Sequence, residues 1–189
     1  TQSRSSAASD VYKRQVRSPP LPPRAVVRRG LRGSPSDRSP VGKGRGSSVG
    51  SDSLFSIEAG VPDVDTYLQL REKAGMRART IQGATKGLGS ELFSVILRVS
   101  ESGEAVGMGR VVGDGGTVFH ICDMAVEEKW QGKGGGTMIM NSLMEYILEE
   151  ASPQSYINLM ADVDGFYERW GFKPTVPNSR GMFLRISDS

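Results

Sequence analysis

The sequence predicts a mixed α/β fold of the α+β kind, carried by one domain over residues 51–189. Three observations predict it. Short apolar runs separated by turn residues fill the first half of that region. One wide apolar stripe at helical spacing follows, and after it strand and helix signals alternate.

The elements read in order as follows. Leu54 to Glu58 is a short strand. Pro62 starts a helix at the position proline prefers, with Val64, Tyr67, Leu68 and Leu70 as its apolar face and an end near Gly75. Residues 76–90 are a polar, glycine-containing connection with room for one helical turn. Leu92 to Val99 and Ala105 to Val112 pair as a hairpin around Ser102-Gly103. Asp114-Gly115-Gly116 turns the chain into a strand over Thr117 to Val126. Ile139, Met140, Leu143, Met144, Ile147 and Leu148 recur every three or four residues and predict a helix that Pro153 ends. Ser155 to Met160 is a strand, Val163 to Trp170 a short helix, and two final strands fall near 172–175 and 181–186.

Composition separates the two ends of the chain. Residues 1–50 hold eleven of the 24 basic side chains and two of the 21 acidic ones, leaving thirteen basic against nineteen acidic in residues 51–189. The overall charge of +3 therefore averages a basic leader with an acidic domain. The leader has ten Ser, six Pro and six Gly and no apolar periodicity, so it cannot bury enough surface to offset its chain entropy. It is expected to be a disordered basic segment. An organelle transit peptide, a basic tail and translated cloning sequence (Ser5 to Gln15) are its competing readings. The acidic domain disfavours a nucleic-acid surface and suits a cationic substrate. No run approaches the roughly 18 to 20 apolar residues of a membrane span. The single cysteine, Cys122, excludes an internal disulfide framework. A cytoplasmic location is the expectation.

The informative segment runs from Asp123 to Thr137. A strand ends at Val126, a polar loop follows, and a helix opens in a glycine cluster. Successive N–H groups at such a turn face one concavity, and the first helical turn has no internal acceptors for its own. The helix dipole adds partial positive charge, which makes the turn suited to an anion. Lys133 can add a full charge beside it. The segment is neither a P-loop nor a dinucleotide fingerprint, because both glycine spacings are missing.

Gln131-x-x-Gly134-x-Gly136 resembles the Q/R-x-x-G-x-G/A signature of the GNAT family of N-acetyltransferases. Some thirty residues on, Phe166-Tyr167-Glu168-Arg169-Trp170-Gly171-Phe172 is similar to that family's second hallmark. The resemblance covers roughly residues 53–186. It implies a central mixed sheet of about six to seven strands, about four flanking helices, and splayed central strands. It implies acetyl-coenzyme A as co-substrate and no metal. Gln131, Gly132, Lys133, Gly134, Gly135, Gly136 and Thr137 would bind its pyrophosphate, and Met124, Ala125 and Val126 would lie along its pantetheine arm. One departure stands out: many members carry an Asn seven residues before the tyrosine, where this chain has Met160.

The resemblance also implies roles. The Met124 N–H would donate to the acetyl oxygen, and Tyr167 would protonate the departing thiolate. His120, the only histidine, sits where several members carry a base. Asp123 is its rival, since some members have an acidic residue there. Simple alternation places His120, Cys122 and Met124 on one face and Asp123 on the other, unless a bulge intervenes. Cys122 reads as a structural thiol rather than a nucleophile. Arg110 and Ser179 to Met182 are weaker substrate-site candidates. The expected reaction is direct acetyl transfer to a primary amine of a small molecule, with a protein lysine or N-terminus, or a non-catalytic acyl-coenzyme A-binding module, as alternatives. A homodimer is possible under the resemblance; nucleic acid and membrane partners are not expected.

Overall fold

The computed structural model describes residues 53–185. The basic leader expected over residues 1–50 lies outside the described residues. One five-stranded sheet runs in the order β1 (Phe55–Ala59), β2 (Phe93–Val99), β3 (Ala105–Gly113), β4 (Val118–Val126), β5 (Tyr156–Leu159). The first three pairings are antiparallel and the last is parallel. A parallel neighbour needs a crossover, and helix α3 (Gly135–Glu150) provides it. Helices α1 (Val64–Lys73) and α2 (Ile81–Gly87) occupy the link between β1 and β2. No helix among the described residues is long and apolar enough to cross a membrane.

Two apolar layers hold the sheet. On one face Ile139, Met140, Leu143, Met144 and Ile147 of α3 pack against Val95, Leu97, Val111, Phe119 and Ile121. Leu148, expected in that stripe, is instead half exposed, one step past the buried arc. The close approach of α3 depends on β3 having no side chain at Gly109. A Cβ there would lie 2.5 Å from Cγ2 of Ile139 and 2.9 Å from Cδ1 of Leu143. On the other face Tyr67 and Leu70 of α1 and Ala84 of α2 cover Met108 and Ala125.

The helix ends follow local chemistry. Asp63, not Pro62, caps α1: its side chain accepts from the Thr66 N–H at 2.9 Å. Helix α2 is longer than the single turn expected, because Thr80 caps it by accepting from the Gly83 N–H at 3.0 Å. The helix expected over 163–170 contracts to a 3-10 turn at Tyr167–Trp170. The two final strands do not form among the described residues. Pro174 and Pro177 lack the N–H a ladder requires, and the Ser179 N–H turns back to the Thr175 carbonyl at 2.9 Å.

Candidate active site

The site begins with an irregularity in β4. Met108 pairs with Ala125 and Arg110 with Cys122, so Asp123 and Met124 together face the single residue Gly109. This is a β-bulge, and Asp123 has a φ of 51°. Few non-glycine residues adopt that conformation, and aspartate is among those that do so most readily. The bulge reverses the strand's alternation. Phe119 and Ile121 face α3 before it, Met124 and Val126 face α3 after it, and Ala125 faces α1. The expected grouping of Met124 with His120 and Cys122 is therefore corrected: the inserted residue moves Met124 to the opposite face.

Asp123 is the most heavily bonded side chain of the site. Its carboxylate accepts from both Nε (2.8 Å) and Nη2 (2.7 Å) of Arg110, from the Tyr67 hydroxyl at 3.2 Å, and from Nη1 of Arg71. Glu91 adds a second acid 3.7 Å from Arg110. Arg71 also donates to the Arg77 carbonyl at 2.6 Å, which ties the chain after α1 to the same cluster. Arg110 is thus part of the ion cluster beneath the bulge. Burial, together with the Asp123 charge, raises the Tyr67 phenol above its ordinary value.

The parallel pairing of β4 with β5 stops at Ile121 and Leu159, while β4 continues to Val126. The two strands part there. A cleft of about 50 Å³ opens between them, lined by Cys122, Asp123, Met124, Met160, Asp162 and Tyr167 among others. Tyr167 reaches it from the 3-10 turn and is buried. Burial, then the nearby Asp162 carboxylate, pushes its phenol up to about 12. Burial and the Asp123 charge likewise push the Cys122 thiol up to about 11. Such a thiol carries almost no thiolate at neutral pH, which argues against nucleophilic chemistry there. His120 lies two residues before Cys122 and does not line this cleft; its Nδ1 sits 2.6 Å from Oδ1 of Asn158 on β5. Met160, where the family pattern has Asn, contributes a thioether to the wall.

The glycine loop lies at the other end of β4. Gln131 Nε2 donates to the Val126 carbonyl at 2.9 Å and fastens the loop to the strand end. Gly134 caps α3 in the left-handed conformation, φ 91°, which only glycine adopts without strain. The first N–H of this turn with a backbone acceptor is that of Met138, bonded to the Gly134 carbonyl at 3.1 Å. The N–H groups from Gly132 to Thr137 have no backbone acceptor among the described residues. Open donors at a helix start, with no capping side chain, fit a diphosphate. Lys133 rests 4.5 Å over the Trp130 ring. Arg169 donates to Thr137 Oγ1 at 3.0 Å and stacks on Phe166 and Trp170, placing another cation beside the first turn.

Ser179 to Met182 are exposed and line no part of the cleft. The sequence reading missed Tyr67, Arg71, Asp162, Asn158 and Arg169. The basic residues carried a usable signal only in retrospect: Arg71 occupies the apolar face of α1, one step from Leu70 and four from Tyr67.

Comparison with known proteins agrees with this geometry. Residues 89–174 match the model of the acetyltransferase (GNAT) domain. A protein of unknown function from methicillin-resistant Staphylococcus aureus, described as a probable acetyltransferase, is 40% identical. The match covers 70% of this chain and all of that one, with a TM-score of 0.67. A GNAT family acetyltransferase of Streptococcus pneumoniae TIGR4 is 20% identical over 72% of this chain and 100% of its own, TM-score 0.58. A Trypanosoma brucei acetyltransferase shares the fold at 20% identity, 69% and 100% coverage and a TM-score of 0.50. No curated protein matches the chain. With the split between β4 and β5, the capped glycine loop and a 40% identical relative matched over its whole length, the chain belongs to the GNAT acetyltransferase family.

Proposed function

We propose that the protein transfers the acetyl group of acetyl-coenzyme A directly to a primary amine of a small molecule. The observation that carries this reading is the meeting of Tyr167 with the β4 bulge in the cleft where β4 and β5 part. Acetyl-coenzyme A supplies an activated thioester. The open N–H groups of Gly132 to Thr137, with Lys133 and Arg169 beside them, would hold its phosphates. Met124, Ala125 and Val126 offer the strand edge along which its arm would run.

The chain's own groups divide the remaining work. The Met124 N–H, on the bulge and beyond the last β4–β5 pair, would donate to the carbonyl oxygen as negative charge grows on it. Tyr167 keeps its proton at neutral pH and can give it to the leaving sulfur. The amine must shed a proton first, since a lysine-like amine has a pKa of about 10.4. His120, which stands outside the cleft wall, is the base in this reading and takes the proton through water. Asp123 has its carboxylate engaged by two guanidinium groups and a hydroxyl, which leaves its oxygens occupied within the ion cluster.

The wall of the cleft pairs the Asp162 carboxylate with the apolar Met76 and Met160, which suits a cationic amine with an apolar body. The test is thiol release from acetyl-coenzyme A over a panel of arylalkylamines, polyamines and lysine peptides. Turnover confined to small amines is expected. Turnover confined to peptides would replace the acceptor class, and absence of any affinity for coenzyme A would overturn the reading.

A further inference from the structure

We propose that Asn158 is a positioning residue: it holds His120, just outside the cleft wall, as the Nδ1–H tautomer, so that Nε2 keeps the lone pair that receives the amine's proton through a bridging water. This rests on the reading of His120 as base given above. His120 and Asn158 are register partners on adjacent parallel strands, and their side chains meet with Nδ1 2.6 Å from Oδ1. An amide oxygen only accepts, so the ring nitrogen facing it must carry the hydrogen. The other nitrogen then holds the lone pair. Both residues sit on the last part of the β4–β5 ladder, and the next pair, Ile121 with Leu159, is the last before the cleft. The backbone ladder therefore sets the imidazole's place, and the amide sets its rotation and tautomer.

The proton accounting closes on these atoms. An N–H bond of the ammonium breaks, its proton passes to a bridging water that gives one of its own to Nε2, and the amine nitrogen gains the pair that attacks the thioester carbon. The imidazolium keeps its Nδ1–H to Asn158 and returns the new proton to solvent. A neutral amide orients the ring through a hydrogen bond without placing a charge beside it. The other polar side chains along the ladder are the Tyr156 phenol on β5, whose register partner is Val118, the Cys122 thiol on β4, and Arg110 on β3, the last committed to Asp123 and Glu91.

His120 is the only histidine in the chain, which makes the test direct. The full chain labelled with ¹⁵N-histidine is titrated by NMR, and the shifts of the two ring nitrogens report the tautomer of the neutral form. The Nδ1–H tautomer is expected in the unaltered protein, and its loss in Asn158→Leu. In that variant kcat/KM for the amine should fall about 10- to 100-fold with coenzyme A affinity retained. Asn158→Asp should restore the tautomer and move the acidic limb of the rate profile to higher pH, because a carboxylate favours the imidazolium. A neutral Nε2–H ring in the unaltered protein overturns the inference without any variant. So does full activity of Asn158→Leu when His120→Ala is inactive. Full activity of His120→Ala is a different result and overturns the base assignment itself.

Discussion

Arg71 and Asp123 form an ion pair whose side chains are 3% and 6% exposed, joining helix α1 to the bulge of β4 across 52 residues of sequence. The same carboxylate holds Arg110 and the Tyr67 hydroxyl. Removing it leaves Arg71 without a carboxylate partner among the described residues and the left-handed residue of the bulge without its anchor. Breaking a buried pair by deleting one member costs about 3–5 kcal/mol. Asp123→Ala is expected to lose stability in that range by urea unfolding. Asp123→Asn should lose less, because asparagine also tolerates a positive φ and keeps an oxygen toward the two guanidinium groups.

Gly109 faces both the bulge and α3. An alanine methyl there would meet Ile139 and Leu143 at 2.5 and 2.9 Å, and the sulfur of Met124 at 3.1 Å. Something must shift, and overpacking of this kind costs about 1–3 kcal/mol. Gly109→Ala is expected to lower the melting temperature and to displace Met124, whose N–H is proposed to serve the reaction. Activity should therefore fall more than the loss of folded protein explains, measured at a temperature where the variant is fully folded.

Much of this architecture was legible in the sequence because its signals are local. The alternation of β2 to β4, the stripe of α3 and the glycine cluster each read from neighbouring residues. The bulge did not. It depends on which residue of β3 faces Asp123, and no local pattern states that Gly109 is the one opposed by two. Asp123 illustrates the limit: its type and place suggested a base, and only the arrival of Arg71 from α1 and Arg110 from β3 shows how fully its oxygens are engaged. Asn158 was invisible for the same reason, since its partner is 38 residues away. The final strands were overread from apolar content near Met182, Phe183 and Leu184, which are exposed, while Pro174 and Pro177 carried the opposing signal.

Cys122 is the only cysteine, so its reactivity can be read without ambiguity. With its thiol pushed up from 9.0 to about 11, alkylation by iodoacetamide at pH 8 should run about 100-fold slower than for a free thiol, in proportion to the thiolate present. The same shift bears on stability. The unfolded thiol ionises first as pH rises, and the folded one retains its proton. The folded state is therefore favoured below about pH 9, and that contribution is lost as pH climbs toward 11. At about 1.4 kcal/mol per unit the loss approaches roughly 3 kcal/mol. Chemical unfolding at pH 8 and pH 11 should show a smaller drop for Cys122→Ala than for the unaltered protein.

Tyr167→Phe separates acid catalysis from packing. The ring is buried in the core against Phe166, with ring centroids 4.9 Å apart at 90°, and phenylalanine keeps that contact. The variant should fold and bind coenzyme A as before. What it loses is the hydroxyl proposed to protonate the departing sulfur, and a positioned general acid contributes typically about 10²–10⁴-fold. We expect kcat to fall by about 100-fold or more with little change in the cofactor's dissociation constant. The deficit should shrink as the departing thiolate becomes a weaker base, because a better leaving group needs less help. An acetyl donor with a more acidic thiol should therefore recover part of the lost rate in Tyr167→Phe and gain little in the unaltered protein. Equal gains in both would place the proton donor elsewhere in the cleft.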